Sequence, residues 1–177
     1  MKKTIINVFL IITAIIIYYL QSNFFMWFNI AGVKPNLFVV LALFVGLFSN
    51  RTMGIAYGVG IGIVVDILIG NIIGVYGITL GLIGFLAAVF DKNFSKDSRI
   101  TIIFMVAAAT LIFEVLNYII HYTIMGNEIE IINFIVILAI EIIYNIILTI
   151  ILYGLIQKFG YYIENEYKGN KILTKYF

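Results

Sequence analysis

Three carboxylates and one imidazole stand inside otherwise apolar runs of this chain: Asp66, Glu114, Glu141 and His121. Acids at membrane depth are costly, and they recur in proton relays, ion paths and substrate sites. Glu114, Asn117 and His121 follow one another at helical spacing, as do Glu141, Asn145 and Thr149. Each set therefore forms one polar stripe, expected to turn inward, away from lipid. Three readings of this polar cluster stay open. It can be glue between helices, with each contact worth about 0.6 kcal/mol. It can be a substrate pocket or ion path, or a surface that grips a membrane partner. His121 alone reads as an interfacial residue, because a metal site needs more donors than one rim histidine. The sequence leaves the ionisation of Asp66, Glu114 and Glu141 open.

Asp66 stands on a ladder. Gly54, Gly58, Gly62, Asp66, Gly70 and Gly74 succeed one another at four-residue intervals. In a helix such positions share a face, so Gly54 to Asp66 make a small-residue groove ending in a carboxylate. Grooves of this type let helices approach closely in lipid, where the hydrophobic effect does not press them together. The run Gly58-Val59-Gly60-Ile61-Gly62 is no phosphate cradle, since it lies in an apolar span with no lysine. There is no G-x-S-x-G, no H-E-x-x-H and no P-loop lysine. With no cysteine, disulfides and thiolate metal sites are excluded. The expectation is a protein without catalytic site, metal or cofactor.

The elements that must position these residues are membrane helices. The chain has 177 residues, 63% hydrophobic and 11% charged, with a mean hydropathy of +1.13. That is far outside the composition of a soluble domain. A helical span needs about 20 apolar residues, and six runs are readable: 4–28, 36–50, 52–70, 73–90, 100–122 and 131–157. Pro35 and Asn36 suit the start of the second. The expected fold is an all-α integral membrane bundle of six helices, forming one domain over 1–157. A basic and aromatic tail, 158–177, is expected on the membrane surface. Gly77, Gly81 and Gly84 lie in the fourth run, so the third and fourth helices are expected in close contact, with Gly70-Asn71 as their turn.

Charge sidedness fits the six-helix count. Of the 11 Lys and Arg residues, all but Lys34 fall on one side, which places both termini in the cytoplasm by the positive-inside rule. The first run is too long for a signal-peptide core and lacks an A-x-A site, so it reads as a retained helix. A formal charge of +2 gives no case for nucleic acid; membrane lipid is the expected surrounding.

Lys34-Pro35-Asn36-Leu37 opening an apolar helix, then Gly46-Leu47, then the ladder from Gly54 through Asp66 to Gly74, resembles the rod shape-determining MreD family. The motifs cover about residues 34–84 and the topology the whole chain. The resemblance implies a non-enzymatic inner-membrane scaffold of the bacterial elongation complex that builds lateral cell wall. Implied partners are an MreC-like bitopic protein, an MreB-like actin filament, a RodA-like glycosyltransferase and a penicillin-binding transpeptidase. The rival class is the substrate-binding subunit of energy-coupling-factor vitamin transporters, which has a similar six-helix layout and binds ligand in its outer half. The A-x-x-x-A-like docking motif of those subunits is missing here, because Ala14 is followed at i+4 by Tyr18.

Overall fold

The computed structural model describes residues 2–69, 72–91, 96–125 and 130–168. It contains six helices in sequence and, among the described residues, no strand. Helix α1 (Lys2–Trp27) is apolar and largely exposed. It widens to π-helical geometry at Leu20–Phe24, where the polar Gln21, Ser22 and Asn23 interrupt the apolar run. A tight turn reverses the chain. Ile30 and Val33 exchange backbone hydrogen bonds of 3.0 and 2.9 Å, with Ala31 and Gly32 at positive φ. The Gln21 side chain then donates to the Pro35 carbonyl at 3.1 Å, fixing the entry to the second helix.

Helices α2 (Leu37–Phe48), α3 (Arg51–Ile69) and α4 (Val75–Phe90) form the centre. Every residue of α2 except Leu41 is buried, as expected for a helix that is apolar all round. Helix α5 (Arg99–Met125) and the 37-residue α6 (Ile131–Tyr167) flank this core. The core runs through Val39, Leu43, Leu47 and Phe48 of α2, Leu80 and Ile83 of α4, and Ile102, Val106 and Phe113 of α5.

Glycines set the closest approaches. Gly54 and Gly58 of α3 meet the α4 backbone at Gly84 and at Leu80–Gly81, and Gly62 meets it at Tyr76–Gly77. Gly46 of α2 also lies against Gly84, so three helices converge at Gly46, Gly54 and Gly84. At each of these positions a Cβ would come within 3.0 Å of neighbouring backbone. Gly60, on the opposite face of α3, has nothing within 4 Å of its would-be Cβ.

Six helices are present, as expected, and they differ in length. Among the described residues, four helices are long and apolar enough to cross a membrane: α1, α3, α5 and α6. Helices α2 and α4 have 12 and 16 residues, or about 18 and 24 Å at ~1.5 Å per residue, short of the ~30 Å hydrocarbon layer. Their N-termini are capped by protein groups, as described below. The last helix also runs past residue 157 to Tyr167. Gly160 lies against the Phe48 ring there, and an ion-pair network holds the final turn. The Gly70-Asn71 turn, residues 126–129 and the tail beyond 168 lie outside the described residues.

Packing against backbone predicts a steep contrast along α3. Gly58→Ala or Gly62→Ala forces helices apart and should destabilise the protein by about 1–3 kcal/mol, the usual cost of overpacking. Gly60→Ala should leave stability unchanged or slightly raised. Thermal unfolding of the three purified variants in detergent checks this, and equal melting temperatures would refute the packing account.

Candidate functional site

Asp66 is fully buried. It lies one helical turn from the end of α3, opposite the start of α4. The backbone N–H groups of Gly74 and Tyr76 donate to its carboxylate at 2.8 and 3.1 Å, and Gly77 adds a longer contact of 3.4 Å. Gly74 holds φ +104, a left-handed conformation open to glycine, and thereby turns its own N–H toward the acid. The first N–H groups of any helix lack intrahelical acceptors, and the positive end of the helix dipole favours an anion. Asp66 thus caps α4 from a neighbouring helix. The carboxylate is held inside the protein, so it does not snorkel toward the membrane surface.

Helix α2 starts in a similar way. The Asn36 N–H donates to Asn145 Oδ1 of α6 at 2.8 Å, while Asn36 Oδ1 accepts from the Val39 N–H at 3.4 Å. Asn145 is fully buried and passes the connection on through its Nδ2, which donates to Thr110 Oγ1 of α5 at 2.9 Å. One amide therefore ties three helices. Pro35, just before the cap, lends its carbonyl to Gln21.

The polar stripes meet only in part. Glu114 of α5 and Glu141 of α6 interact directly, and Asn145 also reaches Glu141. Asn117 is buried and donates to the Phe113 carbonyl at 2.8 Å. Asn117 Oδ1 and Glu141 Oε1 are buried without a protein partner among the described residues. His121 lies two turns beyond Glu114, and among the described residues no hydrogen bond draws it into this group. No cluster of three His, Cys, Asp or Glu among the described residues could hold a metal. Tyr76 packs its ring on Phe113 at 5.1 Å between centroids, linking the α4 cap to α5. Gly54, Gly58, Gly62 and Asp66 all face α4; Gly74 is its cap; Gly70 lies outside the described residues.

Sequence reasoning missed two sets of residues. Thr110 extends the α5 stripe by one turn, so its helical spacing was a usable signal. The second set closes the opposite end of the bundle. Lys96 pairs with Asp91 at 2.7 Å and Glu164 at 2.6 Å, and Lys168 pairs with Asp91 at 2.6 Å. Lys168 also donates to the Leu47 carbonyl at 2.7 Å, near the end of α2. The only local sign was the i, i+4 spacing of Glu164 and Lys168. Burial opposes charge on Asp91, but the hydrogen bonds from Lys168 and Lys96 outweigh it and hold the carboxyl below its ordinary range. Burial likewise opposes charge on Lys96, and Asp91 and Glu164 outweigh it, raising the amine. For Lys168 burial wins, and the amine is lowered.

Helices long and apolar enough to cross a membrane, with buried polar groups such as Asp66 and Asn145 holding helices to one another, define a membrane protein. The model of the family described as rod shape-determining protein MreD matches residues 2–162. The chain belongs to that family, whose role is in rod-shape determination and whose members are not known as enzymes. Comparison with curated proteins and with solved structures finds no match.

Two outcomes are expected. Asp66→Ala strands the Gly74 and Tyr76 N–H groups and should cost about 1–3 kcal/mol, whereas Asp66→Asn, which keeps one acceptor oxygen, should cost less. Melting temperatures and the folded yield of both variants check this ranking. The ion network should respond to acid. Because Asp91 titrates below its ordinary 3.8 when folded, its stabilising effect is present above that value and is lost as pH falls through the lowered range. The stability advantage of wild type over Asp91→Asn should therefore shrink below about pH 4. Lys96 and Lys168 shift in opposite directions, so the acid limb is the diagnostic one. An advantage that persists undiminished at pH 2 would refute the assignment.

Proposed function

We infer that this chain is a non-enzymatic adaptor of the machinery that maintains rod shape, seated in the bacterial inner membrane. The observation that carries this reading is the family match over residues 2–162. Its intramembrane polar groups add support. Asp66, Asn36 and Asn145 spend their hydrogen-bonding capacity on helix ends, which suits a scaffold held in one shape. On this reading all six helices lie in the membrane, with α2 and α4 reaching only part of its depth. The described cations other than Lys34 mark the cytoplasmic side, with both termini there.

The proposed partners are an MreC-like bitopic protein, an MreB-like filament, a RodA-like glycosyltransferase and a penicillin-binding transpeptidase. A membrane adaptor meets such partners through lipid-facing helix surfaces, and α1, α5 and α6 offer long exposed apolar faces. The glycine ladder and Asp66 would act by holding the shape of the protein that carries those faces.

Depletion in rod-shaped cells that depend on this chain is expected to round them, and crosslinking should recover the bitopic and glycosyltransferase partners. Asp66→Ala should reproduce rounding in proportion to its loss of folded protein. Normal rod shape after full depletion would overturn the proposal.

A further inference from the structure

Helix α1 is the least embedded helix of the bundle, and a long apolar cleft separates it from α6. One part of the cleft, about 270 Å³, runs among Phe9, Thr13, Leu20, Phe44 and Leu155. A second part, about 320 Å³, continues it past Ile5 and Tyr162 and shares Phe9, Phe159 and Ile163 with the first. From Ile5 to Leu20 the cleft follows α1 for about 22 Å at ~1.5 Å per residue. That exceeds the ~15 Å depth of one leaflet of a ~30 Å hydrocarbon layer.

One cation stands at the mouth. Lys158 lines the second part of the cleft, is exposed, and forms no hydrogen bond or ion pair with any described residue. Among the described residues, the other lysines at this end are engaged. Lys2 pairs with Glu166 at 3.3 Å, Lys3 sits over the Tyr167 ring, and Lys96 and Lys168 belong to the buried network. The cavity on the other flank of α1 is larger, about 620 Å³, but has no charged residue in its lining.

We propose that the α1–α6 cleft is a binding site for one anionic phospholipid, its acyl chain lying between Phe9 and Leu155 and its phosphate meeting Lys158. The lining selects the occupant: the walls are apolar along their length, with one cation at the end, which suits an acyl chain below a charged headgroup. Charge selects the headgroup, because a zwitterionic lipid brings no net negative charge to the free ammonium.

The test is native mass spectrometry of the full chain in detergent, titrated with dioleoyl-phosphatidylglycerol or dioleoyl-phosphatidylcholine. One phosphatidylglycerol should be retained at concentrations where phosphatidylcholine is not. Lys158→Gln should weaken its retention about fivefold, the usual effect of one lysine at an anionic surface, and Lys158→Arg should restore it. Leu155→Trp, on an exposed position of the lining, should displace the lipid by filling the cleft. Equal retention of the two lipids, or full retention by Lys158→Gln, would overturn the proposal. Full retention by Leu155→Trp would do so as well, since it would put the lipid on the surface only. A dimer mass without lipid would assign the cleft to a second copy of the chain, against the proposal.

Discussion

A helix that begins inside a membrane has several backbone N–H groups and no water to accept them. Each one left bare costs several kcal/mol, so such a helix exists only if side chains supply the acceptors. Helices α2 and α4 both receive such acceptors from other helices, and the rest of the bundle is arranged around the two solutions. Asp66 crosses from α3 to the start of α4, and Asn145 crosses from α6 to the start of α2. Each acceptor sits on a long helix and is delivered to a short one. Stability of the short helices therefore depends on the register of the long ones.

The glycines follow from the same constraint. For Asp66 to reach the N–H groups of α4, the axes of α3 and α4 must lie close together. Gly54, Gly58 and Gly62 allow this by presenting backbone to backbone along the α3 face leading to Asp66. Larger residues would move α4 outward and lengthen hydrogen bonds that now measure 2.8 and 3.1 Å. The ladder and the acid are thus two halves of one device. At the other end, Lys168 secures the C-terminal side of α2 by donating to the Leu47 carbonyl, where orphan carbonyls need donors as the N-termini need acceptors.

Much of this was legible in the sequence. A four-residue glycine period on an apolar run can only be a helix face, and the matching glycines of α4 named its partner. The helical content and the MreD family resemblance followed from length, hydropathy and the residues from Lys34 to Gly74. What sequence could not reveal was how the helix ends are met. Hydropathy counts apolar residues but does not say whether a helix end is exposed or capped by another helix, so the caps on α2 and α4 had no local sign. Asp66 suffered the same loss. Its partners are backbone N–H groups, which have no identity in a sequence, and the acid therefore looked unpaired. The network of Asp91, Lys96, Glu164 and Lys168 joins a loop to a helix end nearly seventy residues away, beyond the reach of any local pattern.

The division of labour among polar residues bears on how such a protein can serve a larger assembly. Asp66, Asn36, Asn145 and Thr110 bond to one another or to backbone, and each satisfies a neighbour that burial would otherwise strand. A core fixed in this way leaves its outer surface free to differ in character. Helix α1 touches that core lightly: Ile6 and Leu10 are its only buried residues before the π-helical stretch, and Tyr57 donates to the Leu10 carbonyl at 2.5 Å. Clefts open on both of its flanks. A rigid centre with one loosely held helix can exchange lipid along that helix without disturbing the caps at Asp66 and Asn145. Stability and surface adaptability are therefore assigned to different helices, and neither is compromised by the other.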